Sequence, residues 1–345
     1  MTGLLLFGGS SQSAHVSTPH RADVANAPPD GRWHLTGDTG GEGEDQQIVA
    51  TGKNQAWVIA DEMAAYWWMM RWDGAAWTRG PGPHGLRDWD PAVLKAATSN
   101  GKAWLFGHDY HSETVQFLRF TGRRWQKASR LTSPPADGLY DAAIVDENDI
   151  WFSEGDKRLL WHWNGRRWRS VKAPTERVRL AAAGPEDLWA LSSTTGQPVM
   201  MRWHHGRWSR AALPHIDLPA ATDSCPEPHP ILMTDLAALA RDDVWAIGTV
   251  RHSAGAGDAW CRPLADVVLH WDGTTWKRVN LGLKGAHLEH LSADTASGVW
   301  ASARPGSGPG YLINLRDGGK ITMTVPHHHV EHELERAASK HARLS

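Results

Sequence analysis

Residues 243–248 read Asp-Val-Trp-Ala-Ile-Gly, and residues 270–276 read His-Trp-Asp-Gly-Thr-Thr-Trp. Both stretches recur along the chain. The first returns as AWVIA at 56–60, AWLFG at 103–107, IWFSE at 150–154, LWALS at 188–192 and VWASA at 299–303. The second follows it each time, as RWDGAAW at 71–77, RFTGRRW at 119–125, HWNGRRW at 162–168 and RWHHGRW at 202–208. A sixth copy, NLRDGGKI at 314–321, lacks both tryptophans, and a stray DGRW stands at 30–33. Self-similarity at this period is the mark of a repeat architecture.

Each repeat reads as four short strands. A strand such as Gln47–Thr51 or Leu180–Ala183 comes first, then a tight turn with acidic or amide residues (Asn148-Asp149, Glu186-Asp187, Asp242-Asp243). The strand bearing the first tryptophan follows. A variable loop leads to a third strand, and Asp73-Gly74, Asn164-Gly165 or Asp272-Gly273 turns it into a fourth, because Asn, Asp and Gly tolerate positive φ. Tyr66–Trp72 alternates, with Tyr66, Trp68, Met70 and Trp72 on one face. Four strands per repeat, with six recognisable repeats, predict an all-β propeller of four-stranded blades. The surplus DGRW leaves room for an incomplete seventh blade. A single four-stranded sheet cannot cover both its faces, so the repeated tryptophans are expected as wedges between blades.

The composition agrees. The chain has 21 Trp against 5 Phe and 4 Tyr, and 34 Gly with 20 Pro, which excludes a coiled coil, a disordered tail protein and a helical bundle. Lys plus Arg (36) nearly balances Asp plus Glu (38), a net charge of −2, which argues against nucleic acid as the main partner. No apolar run approaches the ~18 residues of a membrane-spanning helix.

The paired units resemble secreted bacterial β-propeller repeat proteins, many of them actinobacterial, that carry DVWAVG and HWDGxxW repeats. Residues 243–248 and 270–276 carry the resemblance, which extends over 31–326. It implies the fold and an extracytoplasmic setting, and it transfers no catalytic residue. Asp272-Gly273-Thr274-Thr275-Trp276 also has a distant similarity to the Asp-box of sialidase-like propellers. That box has a residue between Asp and Gly, whereas Asp272 and Gly273 are adjacent, and its role is structural.

The chain divides into 1–30, a partial signal-like segment (Leu4–Phe7, then Gly8-Gly9-Ser10-Ser11) and linker; 31–326, the propeller; and 327–345, a polar His-rich tail. The apolar stretch is short and lacks a basic flank, as if only the end of a secretory signal were present. His327, His328, His329 and His332 have metal-like spacing, but a flexible tail pre-positions no ligands, so no metal site is expected. No cofactor is expected either. Cys225 and Cys261 lie in long insertions on one propeller face, where a disulfide is expected; the alternative is two free thiols.

No nucleophile elbow, phosphate-cradling glycine loop or His-Glu-x-x-His motif is present, and no catalytic residue is assigned. The residue before the third-strand aromatic is Arg71, Arg119, His162, Arg202 or His270, read as a repeated hydrogen bond between blades. Function is expected in the non-repeating loops of the face that carries the cysteines. There Asp88, Trp89, Asp90, Tyr110 and Trp260 form a candidate ligand-binding set, because aromatic rings flanked by carboxylates suit sugar binding. The expected function is a secreted or cell-surface, monomeric, non-catalytic binding protein for a glycan or protein ligand. The alternative is a glycoside hydrolase or lyase on the same scaffold.

Overall fold

A computed structural model describes residues 47–321 apart from 53–54, 63–65, 74–76, 81–88, 98–99, 110–113, 129–130, 132–137, 193–196, 218–230, 251–264, 282–285, 295–297, 306–310 and 316–319. The signal-like segment, DGRW at 30–33 and the His-rich tail therefore lie outside the described residues. The described residues form six four-stranded antiparallel sheets, each with its strands in sequence order, as in the blades of a β-propeller.

The first sheet comprises β1 (Gln47–Gly52), β2 (Gln55–Glu62), β3 (Tyr66–Trp72) and β4 (Trp77–Arg79). The second holds β5 (Trp89–Ala96), β6 (Ala103–Asp109), β7 (Thr114–Phe120) and β8 (Trp125–Lys127). The third holds β9 (Asp141–Asp146), β10 (Asp149–Ser153), β11 (Leu159–Trp163) and β12 (Trp168–Lys172). The fourth holds β13 (Arg179–Gly184), β14 (Asp187–Ser192), β15 (Val199–His204) and β16 (Arg207–Ala211). The fifth holds β17 (Ile231–Ala240), β18 (Asp243–Val250), β19 (Ala265–Trp271) and β20 (Trp276–Arg278). The sixth holds β21 (Ala286–Asp294), β22 (Gly298–Pro305), β23 (Tyr311–Asn314) and β24 (Lys320–Ile321). The expected third strand Tyr66–Trp72 coincides with β3. Trp89 and Asp90, expected in a loop, open the strand β5.

Alternation sends the side chains of each sheet to both faces, and each face packs against a neighbouring sheet. Every interface receives one second-strand tryptophan. Trp57 lies between the first and second sheets, Trp104 between the second and third, and Trp151 between the third and fourth. Trp189 lies between the fourth and fifth, Trp245 between the fifth and sixth, and Trp300 between the sixth and first. All six are buried, Trp189 completely. The expected wedge role is thus found at each interface, the one that joins the last sheet to the first included.

The hairpin glycines have a steric reason. Gly273 has φ +93°, and a Cβ there would stand 2.8 Å from the Cβ of Asp242 in the turn before β18. The third-to-fourth hairpin thus lies on the first-to-second turn of its own blade. Asp272 fixes that hairpin by accepting hydrogen bonds from the amides of Thr274 (3.0 Å) and Thr275 (2.9 Å).

Replacing Trp189 with Ala empties the interface between the fourth and fifth sheets and is expected to cost about 3–5 kcal/mol. Urea unfolding measures it. A loss below about 1 kcal/mol would contradict the wedge role.

Candidate functional site

The second-strand tryptophans set a common register for the innermost strands. Their partners across the ladder are Val49, Lys95, Ala143, Ala181, Ala237 and Ser292. Five of these are short side chains and one is a lysine. They line an axial cavity of about 40 Å³. Two residues earlier in each strand stand Gln47, Val93, Asp141, Arg179, Asp235 and His290. This second level is polar except at Val93. It lies toward the strand N-termini, hence toward the end that carries the fourth-to-first and second-to-third connections.

Lys95 fills the space that the small residues leave. Its Nζ lies 3.1 Å from Asp141 Oδ1, one blade on, and 3.3 Å from Asp235 Oδ1, three blades on. Both carboxylates also accept backbone hydrogen bonds from the next blade: Asp141 from Leu180 (2.7 Å) and Asp235 from Leu291 (2.8 Å). Gln47 accepts from Leu94 at 2.8 Å in the same way, and Ser292 Oγ accepts from Ala50 at 2.7 Å where the sixth sheet meets the first. The reason is general. The inner edge of an innermost strand has no further strand beside it, and a buried N–H must find an acceptor. The preceding blade supplies one from a side chain.

Burial works against the charge on Lys95, and the carboxylates of Asp141 and Asp235 outweigh it, so its pKa stands above the usual lysine value. Burial likewise opposes charge on Asp235, but Lys95 and then His290 hold its carboxyl well below the ordinary range. His290 Nδ1 is 3.6 Å from Asp235 Oδ2. Two carboxylates near one another at an axis are what a glycosidase needs, but its general acid requires a raised pKa. Asp235 is shifted the other way, and both carboxylates are committed to Lys95 and to backbone amides. The cavity is also far below the several hundred Å³ of an ordinary ligand pocket.

The described part of the loop-rich end carries a second group. Arg179 Cζ lies 4.7 Å from the Tyr140 ring centroid. Beside it, Glu154, 3% exposed, accepts from the Trp161 indole N–H at 2.6 Å and meets Lys157 Nζ at 3.1 Å. Tyr140 and Trp161 are half-buried. Arg177 pairs with Asp156 at the surface at 2.8 Å. Between the fifth and sixth sheets, Asp266 faces His287 at 3.4 Å; burial pushes the Asp266 carboxyl up, against the pull of His287.

Of the sequence-derived binding set, Trp89 and Asp90 are placed by backbone alone, at the loop-rich end of β5. Asp88, Tyr110 and Trp260 lie outside the described residues, as do Cys225 and Cys261. The basic residues before the third-strand aromatics need a correction. Three of them bond within their own blade, to an acid at the start of the second strand. His162 Nε2 lies 2.8 Å from Asp149, His270 Nε2 lies 2.9 Å from Asp243, and Arg202 grips Asp187 with two bonds of 2.8 and 2.6 Å. The cause is register: each of the three residues sits directly opposite the second-strand tryptophan. Arg119 alone of the five makes the expected link between blades, to Glu147, and Arg71 lies over Trp57, 5.7 Å from its centroid.

No family model and no curated protein sequence matches the chain. Among solved structures it is similar to the SapL1 lectin in complex with α-methyl fucoside, at 13% identity and TM-score 0.44, over 68% of this chain and 78% of that one. It is similar to a fucose-specific lectin from Aleuria aurantia at 12% identity and TM-score 0.45, over 78% and 96%. It is similar to the β-propeller domain of the Trilobed protease from Pyrococcus furiosus at 7% identity and TM-score 0.42, over 78% and 95%. At this distance the ligand has to be argued from the site itself.

Substituting Lys95 with Met leaves two buried carboxylates without their cation and is expected to cost about 3–5 kcal/mol. The depressed pKa of Asp235 gives stability that is full above its unfolded value of about 4 and is lost as pH falls toward the folded value. The raised pKa of Lys95 gives stability that is full below about 10.5 and is lost as pH rises beyond it. Asp235→Asn is therefore expected to flatten the acid limb of a plot of unfolding free energy against pH. An acid limb unchanged in that variant would contradict the assignment.

Proposed function

We propose that this chain is an extracytoplasmic, non-catalytic binding protein, a ring of six blades that meets a glycan on its loop-rich end. The observation that carries this reading is the closed axis. Its charged groups neutralise one another around a cavity of about 40 Å³, which leaves a ligand the mouth and not the bore. Six sheets and an apolar cluster between each adjacent pair support the blade count.

The chemistry at the mouth supports a sugar. The Tyr140 ring offers a stacking face, and the Arg179 guanidinium over its other side offers a donor for hydroxyl groups. Trp89 and Asp90 enter at the same end, one blade earlier. A Cys225–Cys261 bond would tie the connection between the fourth and fifth sheets to the segment that holds Trp260, and belongs with an oxidising compartment.

A glycan array probed with the full chain is expected to return binders, and Tyr140→Ala with Trp89→Ala is expected to weaken the best of them about tenfold or more at unchanged melting temperature. Failure of every glycan to bind, or unchanged affinity in that variant, would overturn the reading. Thiol titration of protein purified under oxidising conditions is expected to find no free thiol. Two titratable thiols would remove the disulfide from it.

A further inference from the structure

On the outer rim, the third-to-fourth hairpins and outer strands of three consecutive blades carry basic residues and no acidic one, while the turn acids Glu147 and Glu186 face Arg119 and His205. The third-to-fourth hairpin and outer strand read TGRRWQK at 121–127, NGRRWRSVK at 164–172 and HHGRWSRA at 204–211. These segments hold nine Lys and Arg and no Asp or Glu, in a chain whose 36 basic and 38 acidic residues nearly cancel. The corresponding segment of the fifth blade starts instead with Asp272, which takes up Lys277 at 2.5 Å. Arg123, Arg166, Arg167, Arg169, Arg207 and Arg210 are exposed. Among the described residues, no hydrogen bond or ion pair engages their side chains.

Strand alternation gives two of them a common address. Val171 and Trp208 both pack on the core between the third and fourth sheets. Arg169 lies two residues before Val171 in β12, and Arg210 two residues after Trp208 in β16. They therefore share those faces, and both flank the outer mouth of that interface. The Trp208 indole N–H donates to the Lys172 carbonyl at 3.1 Å and closes the floor beneath them. Blunting an edge strand against aggregation needs only a charge or two, and lysine is the usual choice. Here arginine predominates, and the hairpins carry it as well as the strands.

We propose that this rim is a docking surface for a linear acidic polysaccharide bearing uronate carboxylates. It is separate from the loop-rich end and does not depend on the reading given there. Guanidinium forks match planar carboxylates with paired bonds, and they are more weakly hydrated than ammonium groups. The cations recur at one position per blade, which fits a polymer with a repeating charge better than a peptide of mixed sequence. Single-stranded nucleic acid would also need free aromatic faces for its bases. The rim tryptophans are engaged already: Trp168 stacks on Phe117 at 5.6 Å and meets Phe152 edge-on at 5.4 Å, and Trp208 packs on Trp203 at 5.3 Å.

The test uses the full chain and polygalacturonate, with single-stranded DNA and vesicles of anionic phospholipid as the other probes. Calorimetry at low salt is expected to show binding to polygalacturonate that weakens as salt rises. The variant Arg166→Ser, Arg167→Ser, Arg169→Ser, Arg210→Ser is expected to lose about tenfold or more of that affinity and to show a shallower salt dependence. All four residues are exposed, so its melting temperature should stay with the parent's; Arg169→Lys with Arg210→Lys, which keeps the charge, is expected to retain part of the affinity. Tyr140→Ala with Trp89→Ala should leave polygalacturonate binding intact, which separates failure here from failure of the loop-end reading. No binding, equal binding by the four-fold variant, or tighter binding to DNA or vesicles would overturn the proposal.

Discussion

In the third, fourth and fifth blades, a second-strand tryptophan lies against a histidine or arginine from the third strand, and an aspartate at the start of the second strand holds that side chain. Trp151 stacks on His162 with centroids 3.8 Å apart and planes 9° apart, and Trp245 on His270 at 4.2 Å and 23°. Arg202 lies over Trp189 at 5.0 Å. The indole N–H groups of Trp151 and Trp245 donate to the same aspartates, at 3.0 and 2.7 Å. One carboxylate thus fixes two side chains on adjacent strands. A ring pinned at its edge and covered on one face has only the other face left to bury, and the next blade covers it.

The consequences run inward. Because the tryptophan sets the register between the first and second strands, it decides which innermost residues meet at the axis. Small residues meet there at one level, polar residues at the next, and Lys95 spans the two. The axial ion pairs and the blade-to-blade amide bonds are outcomes of that register. A buried charge cluster of this kind confers specificity on an arrangement more readily than net stability. With the axis committed in this way, recognition is left to the loop-rich end and to the outer rim.

The repeated tryptophans and hairpins made the fold legible, because each blade must solve the same packing problem with the same residues. The axial cluster was not singled out in the sequence. Lys95, Asp141, Arg179, Asp235 and His290 belong to first strands of different length, three of them irregular beside this level, between Pro91 and Val93, between Met233 and Asp235 and between Leu288 and His290. They fall into register only when every first strand is counted back from its tryptophan partner. The basic residues before the third-strand aromatics were legible as a repeated hydrogen-bonding position. Their direction was not, since choosing between a partner in the same blade and one in the next requires the register. Trp89, expected in a loop, stands in β5, whose ladder with β6 takes in Pro91 at an irregularity between Pro91 and Val93.

A double-mutant cycle between Asp243 and His270 tests the account most directly. Asp243→Asn and His270→Gln, singly and together, would be measured by urea unfolding at neutral pH. The account predicts that the two changes do not add, with a coupling energy of about 0.5–3 kcal/mol. Additivity within about 0.3 kcal/mol would contradict it, for then the clasp over Trp245 would be a coincidence of position.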